Sequence, residues 1–186
     1  TEAFRFGNRG DKPGQFYSPV GITLDAQENI YVCEYGFNDR VQKFTKDGKF
    51  LVSFGKSGIE SGNMQRASDM VWHQGLLYLA DAVNNRIQVF KDNGEFLHIL
   101  KNENEDIPFY LPYDIDLGPQ GNLWIIEYAN CRLTKTTLSG EVLGTFGSPG
   151  TEVNQFKNPW GLGVSKDGTI YVADTANRRI IILKNE

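Results

Sequence analysis

A carboxylate, an asparagine and an arginine stand close together in the segment ADAVNNRIQVF, residues 80–90, as Asp81, Asn84 and Arg86. Arginine pairs with a carboxylate through two parallel hydrogen bonds, and carboxylate and amide oxygens accept hydrogen bonds from the backbone N–H groups of a turn. The same residue types recur three more times, whereas a catalytic centre would be needed only once. The cluster is therefore interpreted as a structural hairpin, in which the arginine pairs with a carboxylate of its own repeat or of the next. Its other members are the acids Glu34, Glu127 and Asp174, the asparagines Asn38, Asn130 and Asn177, and the arginines Arg40, Arg132 and Arg179.

Two other carboxylates occupy a position at which the repeats differ. Asp69 and Asp114 each lie two residues after the position that is proline in three of the four copies, and the first and last copies have Gly21 and Gly161 in their place. Hard cations such as Ca²⁺ take oxygen ligands. The pair is a candidate for a divalent cation held with backbone carbonyls and water. The alternative is two acids that are solvated or that accept hydrogen bonds from loop amides.

Aromatic residues in the predicted rim loops are candidates for a contact surface. Phe37, Phe109 and Tyr110 depart from the repeated pattern, and Tyr113 and Trp160 lie near the starts of predicted strands. Aromatic side chains supply much of the binding energy at protein interfaces. We expect these five residues at a rim that binds a protein partner, with packing inside the fold as the alternative.

Composition limits the classes of function. A net charge of -4 and a pI near 5.3 disfavour binding to nucleic acid, which requires clustered lysine and arginine. No run approaches the roughly 18 apolar residues of a membrane span. With only His73 and His98, a metal site built from several histidines is nearly excluded.

The repeats define the elements that must position these residues. The four arginines are spaced 46, 46 and 47 residues apart. Each repeat carries four short segments rich in β-branched and aromatic residues and bounded by turn signals, and no segment sustains a helical period, so the chain is predicted to be all-β. We expect one domain over residues 1–186, with repeats at 17–55, 66–101, 111–147 and 159–186 plus 1–7.

A period in the mid-forties with four antiparallel strands is typical of a β-propeller blade. The stretch FGNRGDKPGQFYSPVGITLDAQENIYVCEYGFNDRVQKF, residues 6–44, resembles an NHL repeat of the bacterial type. NHL propellers usually have six blades and sometimes five, so two interpretations remain. Either four blades close a ring, with the N-terminal strand EAFRFG completing the last blade, or the chain is part of a six-bladed propeller.

The resemblance implies a function as well as a fold. A non-catalytic protein-interaction module or scaffold subunit that uses the rim loops is favoured, in a periplasmic or secreted setting and with no cofactor. One alternative is a metal-dependent hydrolase or lyase with a cation in the central channel. Another is a repeat scaffold with a purely structural role. The oligomeric state is left open.

Overall fold

The computed structural model describes residues 4–100 and 109–184, and within them the regular structure is β-strand apart from one 3₁₀ turn, Thr175–Asn177. The all-β prediction is confirmed. The strands are β1 Pro19–Leu24, β2 Ile30–Glu34, β3 Arg40–Phe44, β4 Phe50–Phe54, β5 Ala67–His73, β6 Leu76–Asp81, β7 Arg86–Lys91, β8 Phe96–Ile99, β9 Pro112–Leu117, β10 Leu123–Glu127, β11 Arg132–Thr136, β12 Val142–Phe146, β13 Gly161–Val164, β14 Ile170–Asp174 and β15 Arg179–Leu183.

Consecutive strands pair into four antiparallel sheets, which we number blades 1 to 4. Blades 1, 2 and 3 have the orders β1-β2-β3-β4, β5-β6-β7-β8 and β9-β10-β11-β12, and blade 4 has β13-β14-β15. This up-and-down order is that of a propeller blade, with the first strand of each sheet innermost. The described residues divide into two compact units, one within Thr1–Asn84 and Gln88–His98, the other within Asn85–Ile87 and Ile99–Glu186.

Each unit has its own apolar core between two blades. In the first unit, Tyr31, Cys33 and Val41 of blade 1 pack with Met70 and Leu79 of blade 2, and all five are at most 2% exposed. The central strands IYVCE and LLYLAD carry apolar residues on both faces and are buried along almost their whole length, as in a sheet that is covered on both sides. The second core joins blades 3 and 4 through Ile126, Leu133, Phe156, Ile170 and Val172.

The N-terminal segment, predicted as the fourth strand of the last blade, is described only from residue 4. Its described residues, 4–8, contain no strand. Within the first unit, the Phe6 ring lies 5.0 Å from the Phe44 ring and packs over Gly48. Phe54 packs over Gly94 of the next blade in the same way. Phe6 thus packs on blade 1 at the position where the outer strand of a preceding blade would pack.

Asp25, in the turn after β1, should make the protein less stable to unfolding in acid. Burial alone would raise the pKa of Asp25, but hydrogen bonds from Asn29, Lys43 and Gln27 lower it below its ordinary value. Lys43 Nζ lies 3.0 Å from Asp25 Oδ2. Because the folded-state pKa is depressed, this stabilisation is complete above the unfolded pKa of about 3.9 and is lost as the pH falls through the folded value. Asp25→Asn should therefore flatten the decrease of unfolding free energy below about pH 4, measured by urea unfolding at each pH. An unchanged slope would contradict this assignment.

Candidate functional site

The acid and arginine of blade 1 clamp the loop that precedes β1. The Glu34 carboxylate is fully buried and accepts hydrogen bonds from Arg40 Nε at 2.7 Å and from the backbone N–H of Tyr17 at 2.7 Å. The remaining Arg40 donors bind the backbone carbonyls of Asp11 at 2.7 Å and Gln15 at 2.8 Å. The arginine therefore joins a buried carboxylate to the backbone of the glycine-rich loop that precedes its own blade.

Blade 4 repeats this clamp with an asparagine added. Arg179 Nε lies 2.7 Å from Asp174 Oδ2, and its terminal nitrogens bind the carbonyls of Thr151, Glu152 and Gln155. Asn177 donates to Asp174 Oδ2 at 2.8 Å and to the carbonyl of Gly150. The side chains of Asp174, Asn177 and Arg179 thus form hydrogen bonds with one another and with backbone carbonyls of the same chain.

In blades 2 and 3 the acid at the end of the second strand also accepts hydrogen bonds, but from different donors. Asp81 accepts from Asn84 at 2.8 Å and from the N–H of Gln65 at 2.7 Å. Glu127 accepts from Arg132 Nε and from Asn130, both at 2.7 Å. Arg86 begins β7.

Sequence reasoning missed further buried polar residues near the clamp, one of which, Thr134, donates its hydroxyl to Glu127. Gln42 and Gln88, both fully buried, reach from the third strand to the acid and to a loop carbonyl, at Gln15 and Asn63 respectively. Asp39 is 5% exposed and accepts from the N–H groups of Gly36 and Arg66. A glutamine two positions after the arginine in the first two repeats was a visible signal, but the acceptors are backbone atoms that no residue pattern identifies.

The two candidate metal ligands, Asp69 and Asp114, both lie against neighbouring strands of the protein. Asp114 Oδ2 accepts the N–H of Leu162 at 2.8 Å, and Asp116 Oδ2 accepts the N–H of Val164 at 2.7 Å, so both acids brace β9 against β13. Asp69 lies against Gly21 beside Cys33, and burial together with the Asp69 charge raises the pKa of the Cys33 thiol to about 12. Across residues 4–100 and 109–184, no group of three or more His, Cys, Asp or Glu side chains is arranged to hold a metal ion. The cation site stays a prediction.

Three aromatic rings form a cluster on the second unit, which we call the aromatic cluster: Tyr113, Tyr128 and Trp160. The rings of Tyr113 and Trp160 stack at 4.7 Å with an interplanar angle of 14°. Tyr128 meets both edge-on, at 5.0 Å from Tyr113 and 5.8 Å from Trp160. Trp160 is 53% exposed. Tyr113 and Trp160, two of the candidate contact residues, are thus brought together in one preorganised surface.

Phe37 stands at a second surface, on the first unit. Its side chain is 94% exposed, the highest value among the large apolar residues described. It lines two open grooves, one of about 470 Å³ with Arg66 and Val83, and one of about 500 Å³ with Arg9 and Tyr17. Among the other candidates, Tyr110 is 49% exposed.

The assignment of Phe109 to an exposed surface is wrong. Its side chain is 1% exposed. The alignment FYSP, FYLP and FKNP shows the reason, because Phe109 occupies the same place before the inner strand as Phe16 and Phe156. The sequence before it, in the predicted contact loop NENEDIPFYLP, lacks the glycine-rich pattern that marks this place in other repeats. Residues 101–108 of that loop lie outside the described residues.

Comparison with known proteins agrees with this geometry. Residues 156–183 match the model of the NHL repeat. This stretch of the chain is an NHL repeat. Over 151 residues the chain is 26% identical to protein brain tumor of Drosophila melanogaster, covering 77% of this chain and 14% of that protein. It is 26% identical over 188 residues to peptidyl-glycine alpha-amidating monooxygenase B of Xenopus laevis, covering 89% of this chain and 21% of that protein.

Solved structures with the same fold include two lyases. A streptogramin B lyase matches this chain with a TM-score of 0.65 at 17% identity, covering 90% of this chain and 55% of the other. Virginiamycin B lyase from Staphylococcus aureus matches with a TM-score of 0.64 at 18% identity, covering 90% and 56%. At these identities the likeness concerns the fold alone. The recognition of NHL repeats and of propeller blades is confirmed, whereas the bacterial type is not. The chain spans about half the length of these structures and 14–21% of the two curated relatives.

Proposed function

We propose that this chain is a protein-interaction module and that the aromatic cluster is its binding site. The observation that carries the proposal is the stacked pair Tyr113 and Trp160, held in place by Tyr128 and yet half open to water at Trp160. A stacked ring loses little conformational freedom when a partner covers it. Its surface is therefore available for binding at a low entropic cost.

The chemistry of the cluster specifies the kind of partner. Covering about 100 Å² of exposed aromatic surface is worth roughly 2–3 kcal/mol. Aromatic faces also attract cations, and the net charge of -4 favours a positively charged partner. The expected partner is a protein segment that places an apolar side chain on Trp160 and carries lysine or arginine beside it.

The comparisons support an interaction module only at the level of the fold, which NHL repeats supply. Among the described residues, no helix has the length and hydrophobicity needed to cross a bilayer. The predicted periplasmic or secreted location, the absence of nucleic-acid binding and the alternative of a cation-dependent enzyme remain predictions.

A library of displayed peptides tests the proposal even though the natural partner is unidentified. Peptides are selected on the wild-type protein and then measured against Trp160→Ala and against Leu143→Ala, a control in β12 that is 47% exposed. We expect the selected peptides to combine apolar and basic residues and to lose binding to the Trp160 variant alone. Peptides that bind the Trp160 variant and the wild type equally would overturn the proposal.

Phe37 offers an independent prediction about the second surface. A side chain that is 94% exposed contributes little packing. Phe37→Ser should therefore change the free energy of unfolding by no more than about 0.5 kcal/mol. Chemical denaturation measures this directly. A loss above about 2 kcal/mol would show that the ring packs inside the fold, as core aromatics do.

A further inference from the structure

An open groove of about 470 Å³ lies between blades 1 and 2, and we call it the interblade groove. Both blades belong to the first unit and share its apolar core, so the groove is complete within that unit. The loop between β2 and β3 forms one side. The segment before β5 and the loop between β6 and β7 form the other. The lining residues are Gly36, Phe37, Asp39, Gln65, Arg66 and Val83.

Hydrogen bonds that cross from one blade to the next fix the floor of the interblade groove. Asp39 Oδ1 accepts the backbone N–H of Gly36 at 2.9 Å and that of Arg66 at 2.8 Å. Asp39 Oδ2 accepts the hydroxyl of Ser57 at 2.7 Å. Both carboxylate oxygens are thus engaged below the surface, and a groove that is already ordered loses little conformational freedom when a ligand binds.

The two sides of the groove offer apolar surface to a ligand. Phe37, on the blade 1 side, is 94% exposed, and Val83, on the blade 2 side, is 40% exposed. An apolar side chain that enters between them removes apolar surface from water, which favours binding in proportion to the area covered. The groove therefore suits a ligand with at least one apolar group.

Arg66 supplies the charge that faces a ligand in the groove. Its guanidinium lies over the Tyr35 ring, 5.3 Å from the ring centroid. Stacking occupies the face of a guanidinium, whereas its N–H donors point outward in the plane of the group, where two of them match a carboxylate. Within residues 4–100 and 109–184, no carboxylate forms an ion pair with Arg66, in contrast to Arg40, which is paired with Glu34.

We propose that the interblade groove is a second binding site, which takes an acidic segment of a partner protein. An apolar side chain of that segment lies between Phe37 and Val83, and an adjacent aspartate or glutamate pairs with Arg66. The net charge of -4 does not prevent this pairing, because exposed charges more than about 8 Å away are largely screened at physiological salt. A nucleic acid fits less well, since its affinity depends on several phosphate contacts and the groove provides one arginine.

A displayed peptide library without lysine and arginine tests this proposal on the Trp160→Ala protein, in which the aromatic cluster is disabled. We expect the selected peptides to carry aspartate or glutamate next to an apolar residue. Adding Arg66→Gln or Phe37→Ser should weaken their binding by about tenfold or more. Arg178→Gln is the matched control that should leave the affinity unchanged, because Arg178 is an exposed arginine of the second unit with φ 55°, close to the 54° of Arg66. Circular dichroism confirms that each variant is folded.

Charge reversal makes the test specific to the ion pair. A selected peptide whose acidic residue is replaced with lysine should lose binding to the Trp160→Ala protein and regain it when Arg66→Glu is added. A library that yields no binder would overturn the proposal. So would selected peptides that bind the Arg66→Gln and Arg178→Gln variants equally, or a charge exchange that restores nothing. A short single-stranded oligonucleotide that binds more tightly than every selected peptide, and loses affinity with Arg66→Gln, would assign the groove to nucleic acid instead.

Discussion

Replacing Arg40 with methionine should lower the free energy of unfolding by about 3–5 kcal/mol, because it leaves the Glu34 carboxylate buried without its cation. Glu34 is fully buried and Arg40 is 8% exposed, so water cannot take the place of the guanidinium. The change also removes donors from the carbonyls of Asp11 and Gln15. Urea unfolding of the wild type and the variant measures the difference.

Arg179→Met is the matched control for this prediction. Arg179 makes the same kind of contacts, but 29% of its side chain is exposed, so water can solvate part of what is lost. We expect a smaller cost of about 1–3 kcal/mol. The double variant Glu34→Gln with Arg40→Met should be more stable than Arg40→Met, because it leaves no unpaired charge buried at position 34. Equal losses at Arg40 and Arg179 would contradict the role given to burial.

Replacing Trp160 with alanine should weaken the binding of a selected peptide by about thirtyfold or more, which corresponds to roughly 2 kcal/mol. The indole supplies the exposed surface of the aromatic cluster, and Tyr113 beneath it holds the ring in one orientation. Folding should change less than binding, since 53% of the Trp160 side chain already faces water. Isothermal titration calorimetry gives the affinity of each variant.

Tyr113→Leu separates the stacking of Trp160 from its presence. This variant keeps the indole but removes the ring that orients it, so we expect an intermediate loss of affinity. Leu143→Ala should bind as the wild type does. A Tyr113→Leu variant with unchanged affinity would show that stacking contributes nothing to recognition.

The fold could be predicted because the sequence pattern of a blade recurs four times along the chain. Arginines at intervals of 46 and 47 residues, each after an apolar run and a turn, are sufficient to place the second and third strands of every blade. The recurrence of the acid, asparagine and arginine also predicted a structural role in advance. What the pattern lacked was the identity of the acceptors, since Arg40 binds the backbone oxygens of Asp11 and Gln15, and any residue type supplies those.

The binding surface was less predictable, because exposure depends on tertiary packing. Phe109 was misplaced since its loop lacks the glycine pattern that identifies Phe16 and Phe156 as packing residues. The stacking of Trp160 on Tyr113 joins residues 47 positions apart and follows only from two adjacent blades in the second unit. Asp114 and Asp116 illustrate the same limit, because their acceptor role depends on the N–H groups of a neighbouring strand.

Hydroxyl-radical footprinting with a selected peptide bound tests most directly whether the aromatic cluster is the binding site. We predict that oxidation falls at Trp160 and Tyr113, while Trp72 and Trp124, which lie within the sheets, stay as in the free protein. Unchanged oxidation at Trp160, together with protection at Phe37 on the first unit, would contradict the assignment.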